Sequence, residues 1–204
     1  MDRKVNVAVL VSGGGTNLQA LIDFEKNGKL KSGKIVKVIS GKDGAFALTR
    51  AERAGIEGVV VPRKGNTQED FEKGIIFELE KCNAEVIVLA GFMSILSKNF
   101  TDRYVNRIIN VHPALIPSFC GEGYYGLKVH EAALGYGVKV TGATVHFVNE
   151  IADGGKIIMQ KAVEVKDGDT PEILQKRVME QAEWKILPAA TEKVCKMVLK
   201  GEIK

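Results

Sequence analysis

The stretch Val5-Asn-Val-Ala-Val-Leu-Val11, followed by Ser12-Gly-Gly-Gly-Thr-Asn17 and then by Leu18, Leu21, Ile22 and Phe24, decides the fold. The first seven residues are apolar and β-branched except at Asn6 and Ala8 and Leu10, which suits a strand buried in a parallel sheet. Beyond the glycines, apolar residues return at helical spacing from Asn17 to Phe24. A strand that turns through glycines into a helix is the first half of a βαβ unit. The same alternation continues, with strands expected at Ile35–Ile39, Gly58–Val61 and Val86–Ala90 and helices at Ala45–Ala54 and Gln68–Lys81. The expected class is therefore α/β, a mostly parallel central sheet flanked by helices.

The second half of the chain departs from this rhythm. A strand at Ile108–Val111 runs into a His-Pro turn and then into Pro113-Ala-Leu-Ile-Pro-Ser-Phe-Cys-Gly-Glu-Gly-Tyr-Tyr-Gly126, a loop too long for a passive connection in a compact domain. Two strands follow, Lys139–Val148 and Lys156–Val165, joined through Asn149-Glu-Ile-Ala-Asp-Gly-Gly155. Thr170 is a good N-cap for a long terminal helix, with Pro171 at its first position and Glu172 in its first turn, and Pro188 is expected to break or bend it. With no repeat, linker or low-complexity segment, residues 1–204 read as a single domain.

Composition narrows the function classes. The 29 basic and 25 acidic residues leave a formal charge of +4 without any basic block, which suits small phosphorylated substrates and gives no reason to expect nucleic acid. Cys82, Cys120 and Cys195 form neither a disulfide framework nor a zinc motif, so a reducing cytoplasm is the expected compartment. No apolar run approaches the ~18 residues of a membrane span, and the N-terminus lacks a cleavage-site pattern; a soluble, unprocessed chain is expected.

Two places carry chemistry. The turn Ser12–Asn17 sits where free main-chain N–H groups and the positive end of a helix favour an anion, and phosphate is the natural occupant. It is neither a Walker loop nor a good dinucleotide fingerprint, because Leu18 stands at the third glycine position. Read without ligands, it is equally a tight strand-to-helix turn capped by Thr16 or Asn17. The second place is the strand end Asn110-Val-His112-Pro113, where period-2 alternation puts an amide and an imidazole on one face. Such a pair suits acyl chemistry, the amide donating to an oxyanion and the imidazole handling a proton. Asp153, before Gly154 and Gly155, would raise the fraction of imidazolium at His112 if the two met. Singly, His112 reads as a structural strand-end residue and Asp153 as a turn former. His130 and His146 are weaker candidates, the first on a helix, the second facing one side of a sheet. No histidine pair has metal-ligand spacing, no metal is expected, and no Gly-x-Ser-x-Gly elbow is present.

Four blocks taken in order are more specific: Ser12–Asn17, Leu89-Ala-Gly-Phe-Met-Ser-Ile-Leu96, Asn110-Val-His-Pro-Ala-Leu-Ile-Pro117 and Gly142–Gly155. Together they resemble the phosphoribosylglycinamide formyltransferase family, and the similarity extends to Glu183-Trp-Lys-Ile-Leu-Pro188. The resemblance implies a Rossmann-like formyltransferase fold, 10-formyltetrahydrofolate as co-substrate and phosphoribosylglycinamide as acceptor, with the chain a monomer or homodimer. It implies catalytic roles for Asn110, His112 and Asp153, a sugar-phosphate site at Gly15, Thr16 and Asn17, and acceptor binding by Glu183. It implies folate binding at Gln68, Met93, Ser94, Ile95, Leu96 and Asn110. Ser94 and Gln68 stand where many members have arginine, Trp184 replaces a frequent histidine, and the loop Pro117–Gly126 is longer than the usual Pro-Gly turn. A formyltetrahydrofolate deformylase or a methionyl-tRNA formyltransferase would use the same donor. The resemblance leads one to expect an extra N-terminal domain in the first and a C-terminal RNA-binding domain in the second, beyond what 204 residues hold. A non-catalytic phosphosugar-binding module would need only the glycine turn.

Overall fold

The computed structural model describes residues 3–203; residues 1, 2 and 204 of the expected 1–204 domain lie outside the described residues. The elements are β1 (Val5–Val11), α1 (Thr16–Lys26), β2 (Gly33–Ser40), α2 (Phe46–Arg53), β3 (Glu57–Val60), α3 (Gln68–Lys81), β4 (Val86–Leu89) and α4 (Lys98–Arg103). There follow β5 (Ile108–His112), α5 (Leu127–Tyr136), β6 (Val140–Phe147), β7 (Ile157–Glu164), α6 (Pro171–Val178), a π-helical turn (Met179–Glu183) and α7 (Trp184–Leu199).

The sheet has seven strands in the order β3-β2-β1-β4-β5-β6-β7. The first four pairings along it are parallel, whereas β5–β6 and β6–β7 are antiparallel. The mostly parallel α/β expectation therefore holds for five strands. The chain winds outward from β1 through β2 to β3, then returns to place β4 on the other side of β1. Ligands in open α/β sheets gather beyond the carboxyl ends of strands at this reversal, and the turns after β1, β4 and β5 meet there.

Strand β1 shows why its sequence is apolar throughout. Val5, Val7, Val9 and Val11 pack into one core with α1, α7 and the π turn, while Ala8 and Leu10 enter the opposite core under α3 and α4. Asn6 is the half-buried exception, and its amide donates to the carbonyls of Cys82 and Asn83 beyond α3. Lys37 on β2 is almost wholly buried, its ammonium 2.7 Å from Glu78 of α3 and 2.9 Å from Glu57 of β3. Removing one partner of a buried pair commonly costs about 3–5 kcal/mol, but Glu57 remains beside Lys37. Glu78→Ala is thus expected to lower unfolding free energy by about 2 kcal/mol, below that range, in urea titrations.

The C-terminal helix corrects one expectation. Thr170 caps α6 by accepting from the Ile173 N–H and Pro171 opens it, but the helix does not break at Pro188, which lies inside α7. The irregularity is the π turn at Met179–Glu183, one turn upstream. Proline cannot donate to the carbonyl four residues back and its ring crowds that carbonyl, so the widened turn absorbs the misfit before the proline.

Candidate active site

The turn after β1 is shaped from α2. Gly15 is left-handed (φ 72°), and a Cβ there would lie 2.7 Å from the Ala47 side chain. The Ala47 N–H donates to the Gly13 carbonyl at 3.0 Å, and Arg50 Nε donates to the Gly14 carbonyl at 2.8 Å. No side chain caps the start of α1 and its first turn carries no acid, so its N–H groups and dipole are left for an anion. Asn17, one residue into α1, is buried; its amide donates to Glu183 at 2.7 Å while its carbonyl oxygen has no partner. The π turn presents Glu183 to this point, where burial, opposed by the Asn17 hydrogen bond, pushes the carboxyl up to about 6.

Asn110 and His112 share a face at the end of β5, as alternation requires. The antiparallel register sets His146 of β6 directly opposite Asn110. Its Nδ1 lies 2.8 Å from the Phe147 carbonyl, which can only accept, so the hydrogen is on Nδ1. Nε2 then accepts from the Asn110 amide at 3.3 Å, which fixes the NH2 rather than the oxygen of Asn110 toward His146 and leaves its second N–H free.

Asp153 reaches both histidines. It is left-handed (φ 55°) at the head of a Gly-Gly turn, and a Cβ on Gly155 would strike the Phe147 carbonyl at 1.7 Å, so this return of the chain needs glycine. One carboxylate oxygen is 3.4 Å from His112 Nδ1 and accepts from the Gly121 N–H at 2.9 Å; the other is 3.4 Å from His146 Nε2. Burial raises the Asp153 pKa, but His146, the Gly121 N–H and the charge of His112 outweigh it and hold the carboxyl below its usual range. His112 differs from expectation. Burial outweighs Asp153 and the Phe119 carbonyl, so its pKa falls rather than rises.

These residues stand between two hollows. One of about 840 Å³ is bordered by Asn17, Glu183, His112 and the Gly121–Gly126 loop; one of about 130 Å³ by Leu89, Leu96, His146 and the Asn149–Asp153 turn. Asn110, Asp153, Ser94 and Ile95 border both, and Met93 borders the larger. Gln68 borders neither: its amide donates to the Ile95 carbonyl at 3.0 Å and to Glu72 at 2.6 Å, bracing the segment from behind. Gly15 and Thr16 flank Asn17 without bordering either hollow. His130 also faces the larger hollow, fully buried with both ring nitrogens unpartnered, and burial together with the charge of His112 lowers its pKa to about 4. His146, a weaker candidate from its place in a strand, is set against Asn110 and Asp153 by the β5–β6 register, which the sequence does not reveal. Among the described residues, no group of three or more His, Cys, Asp or Glu could hold a metal, and no helix is long and apolar enough to cross a membrane.

Residues 5–191 match the family model described as formyl transferase. The phosphoribosylglycinamide formyltransferase of Escherichia coli (strain K12) is 40% identical over 178 residues, which are 87% of this chain and 81% of that protein. The chain belongs to the phosphoribosylglycinamide formyltransferase family. The trifunctional purine biosynthetic protein adenosine-3 of Gallus gallus is similar to this family member at 47% identity over 192 residues, or 94% of the chain, which spans only 18% of that relative's length. Among solved structures, the phosphoribosylglycinamide formyltransferase from Brucella melitensis superposes with a TM-score of 0.86 at 40% identity, covering 95% of this chain and 96% of its own. The Rossmann-like formyltransferase fold expected from the motifs is the fold observed.

Proposed function

We propose that this chain, as a single domain in the cytoplasm, transfers the formyl group of 10-formyltetrahydrofolate to the amine of 5'-phosphoribosylglycinamide, a step of purine biosynthesis. The observation that carries this reading is the position of Asn110 and Asp153 between two hollows, which suits a transfer between two substrates. In this reading the smaller hollow takes the flat ring of the donor; the larger takes the acceptor, its sugar side at Glu183 and its phosphate reaching past Asn17 to the turn of Gly15 and Thr16 beyond the hollow's edge. Ser94, Ile95 and Leu96 form the donor-side wall, and Met93 carries the same segment on to the rim of the larger hollow.

In this mechanism the neutral amine attacks the formyl carbon and the free N–H of Asn110 donates to the developing oxyanion. The amine proton passes to the His112–Asp153 pair directly or through water. It is then delivered to the folate nitrogen as the C–N bond breaks, giving the formylated acceptor and tetrahydrofolate. His112, neutral beforehand, becomes the imidazolium that Asp153 stabilises. No covalent enzyme intermediate forms.

The test is to incubate pure protein with 10-formyltetrahydrofolate, with and without phosphoribosylglycinamide, and follow the folate product. Acceptor-dependent turnover is expected. Turnover without acceptor would instead indicate a deformylase, and silence with tight phosphosugar binding a non-catalytic module.

Glu183 makes a separate prediction. Its raised carboxyl titrates at about 6, and only the ionised form accepts two hydroxyl hydrogen bonds, so kcat/KM for the acceptor should climb as pH rises through that value and level off above it. Glu183→Gln should remove this step and raise acceptor KM roughly ten- to a hundredfold, the effect of losing about 1.5–3 kcal/mol of hydrogen bonding to a charged group. An unchanged acceptor KM would remove Glu183 from the site.

A further inference from the structure

The loop from Pro117 to Gly126 touches both members of the His112–Asp153 pair, and it does so through its main chain. His112 Nε2 lies 2.8 Å from the Phe119 carbonyl, and two residues later the Gly121 N–H donates to Asp153 at 2.9 Å. A carbonyl oxygen has no hydrogen to give, so a contact this short places the hydrogen on Nε2. In neutral His112 the lone pair is then on Nδ1, the nitrogen that faces the Asp153 carboxylate at 3.4 Å.

We propose that the Phe119 main-chain carbonyl sets the tautomer of His112, making Nδ1 the atom that takes the proton, and that Phe119 is a positioning residue for the reaction. This rests on the assignment of His112 to proton transfer. With Nε2–H held by the carbonyl, a proton arriving at Nδ1 falls directly between the ring and Asp153. With the opposite tautomer, Nδ1 would already be protonated and the free lone pair would point at another oxygen. The imidazolium finds an acceptor on each side, so neither N–H is left unpaired in a buried place.

The side chain of Phe119 explains why this residue holds the carbonyl in place. Its backbone is left-handed (φ 49°), which is unusual for a bulky residue and requires support from its surroundings. The ring supplies that support: it packs tilted against Tyr124 at 6.4 Å and edge-on to Tyr136 of α5 at 6.1 Å between centroids. Tyr136 is otherwise exposed, so its ring can be removed without opening the core.

Nitrogen NMR of isotopically labelled histidine, in the full protein without substrates, reads the tautomer directly, with His112→Gln identifying the signals among three histidines. The wild-type His112 should carry its hydrogen on Nε2. Phe119→Ala should shift the population toward the Nδ1–H form and lower kcat roughly three- to tenfold near neutral pH, the effect of one weakened hydrogen bond, with acceptor KM unchanged. Tyr136→Ala should move both readouts the same way by less, even if Phe119→Ala folds poorly, and Phe119→Tyr should restore both. A wild-type hydrogen on Nδ1, or a tautomer unmoved in Phe119→Ala or, should that variant not fold, in Tyr136→Ala, overturns the proposal. Because this readout needs no substrate, a positive result stands even if the transfer assay fails. If NMR agrees but His112→Gln retains full turnover, the proton-transfer reading is what fails.

Discussion

Asp153→Asn is expected to lower kcat by about a hundred- to ten-thousandfold while leaving the fold intact, the range for losing a positioned acid–base group. Each carboxylate oxygen of Asp153 faces one imidazole at 3.4 Å, and one of them also accepts the Gly121 N–H. An amide of the same shape keeps one acceptor but no charge, and its NH2 must point at a histidine or at the Gly121 N–H. The imidazolium formed during transfer then has no counter-charge. The wild-type carboxyl is held below its usual range, so it stays ionised at neutral pH and its own titration limits activity only in acid. Single-turnover rates of the purified variant, beside circular dichroism and thermal unfolding, test this; near-normal rates with an intact fold would remove Asp153 from the chemistry.

Asn110→Ala is expected to cost about a hundred- to a thousandfold in kcat, the usual effect of deleting one oxyanion donor. Its consequence can be separated from simple loss of packing through His146. Because the Phe147 carbonyl pins the His146 hydrogen on Nδ1, Nε2 accepts from Asn110 and turns the amide so that its remaining N–H can reach the oxyanion. His146→Ala should therefore lower kcat by about a hundredfold through misplacement of the donor. Combined with Asn110→Ala, it should add far less than its separate effect, since groups that act as a unit are non-additive. Multiplicative losses in the double variant would show that His146 acts independently of Asn110.

Much of the framework was legible because it depends on local rules. The Thr170 cap and the Gln68–Lys81 helix satisfy their backbone hydrogen bonds within a few residues of themselves, and the unbroken apolar run of β1 announces burial on both faces whichever strands it pairs with. The short helix α4 carries too few turns to show a period, and the π turn escaped because a proline announces a misfit without saying which turn will absorb it.

The sequence by itself determined the α/β class, the shared strand face of Asn110 and His112, the Thr170 cap and, through four ordered blocks, the family. These follow from strand alternation, helix-start chemistry and motif order, all readable along the chain. The resemblance also implied that Asp153 joins Asn110 and His112; tertiary structure alone decided that its carboxylate faces both His112 and His146, that burial lowers rather than raises the His112 pKa, that Gln68 braces Ile95 from outside both hollows, and that the long loop turns its carbonyl onto His112. The physical reason is the same in each case. Strand register, desolvation and main-chain hydrogen bonds between distant segments arise only once the sheet has assembled, and a protonation state depends on all of them together.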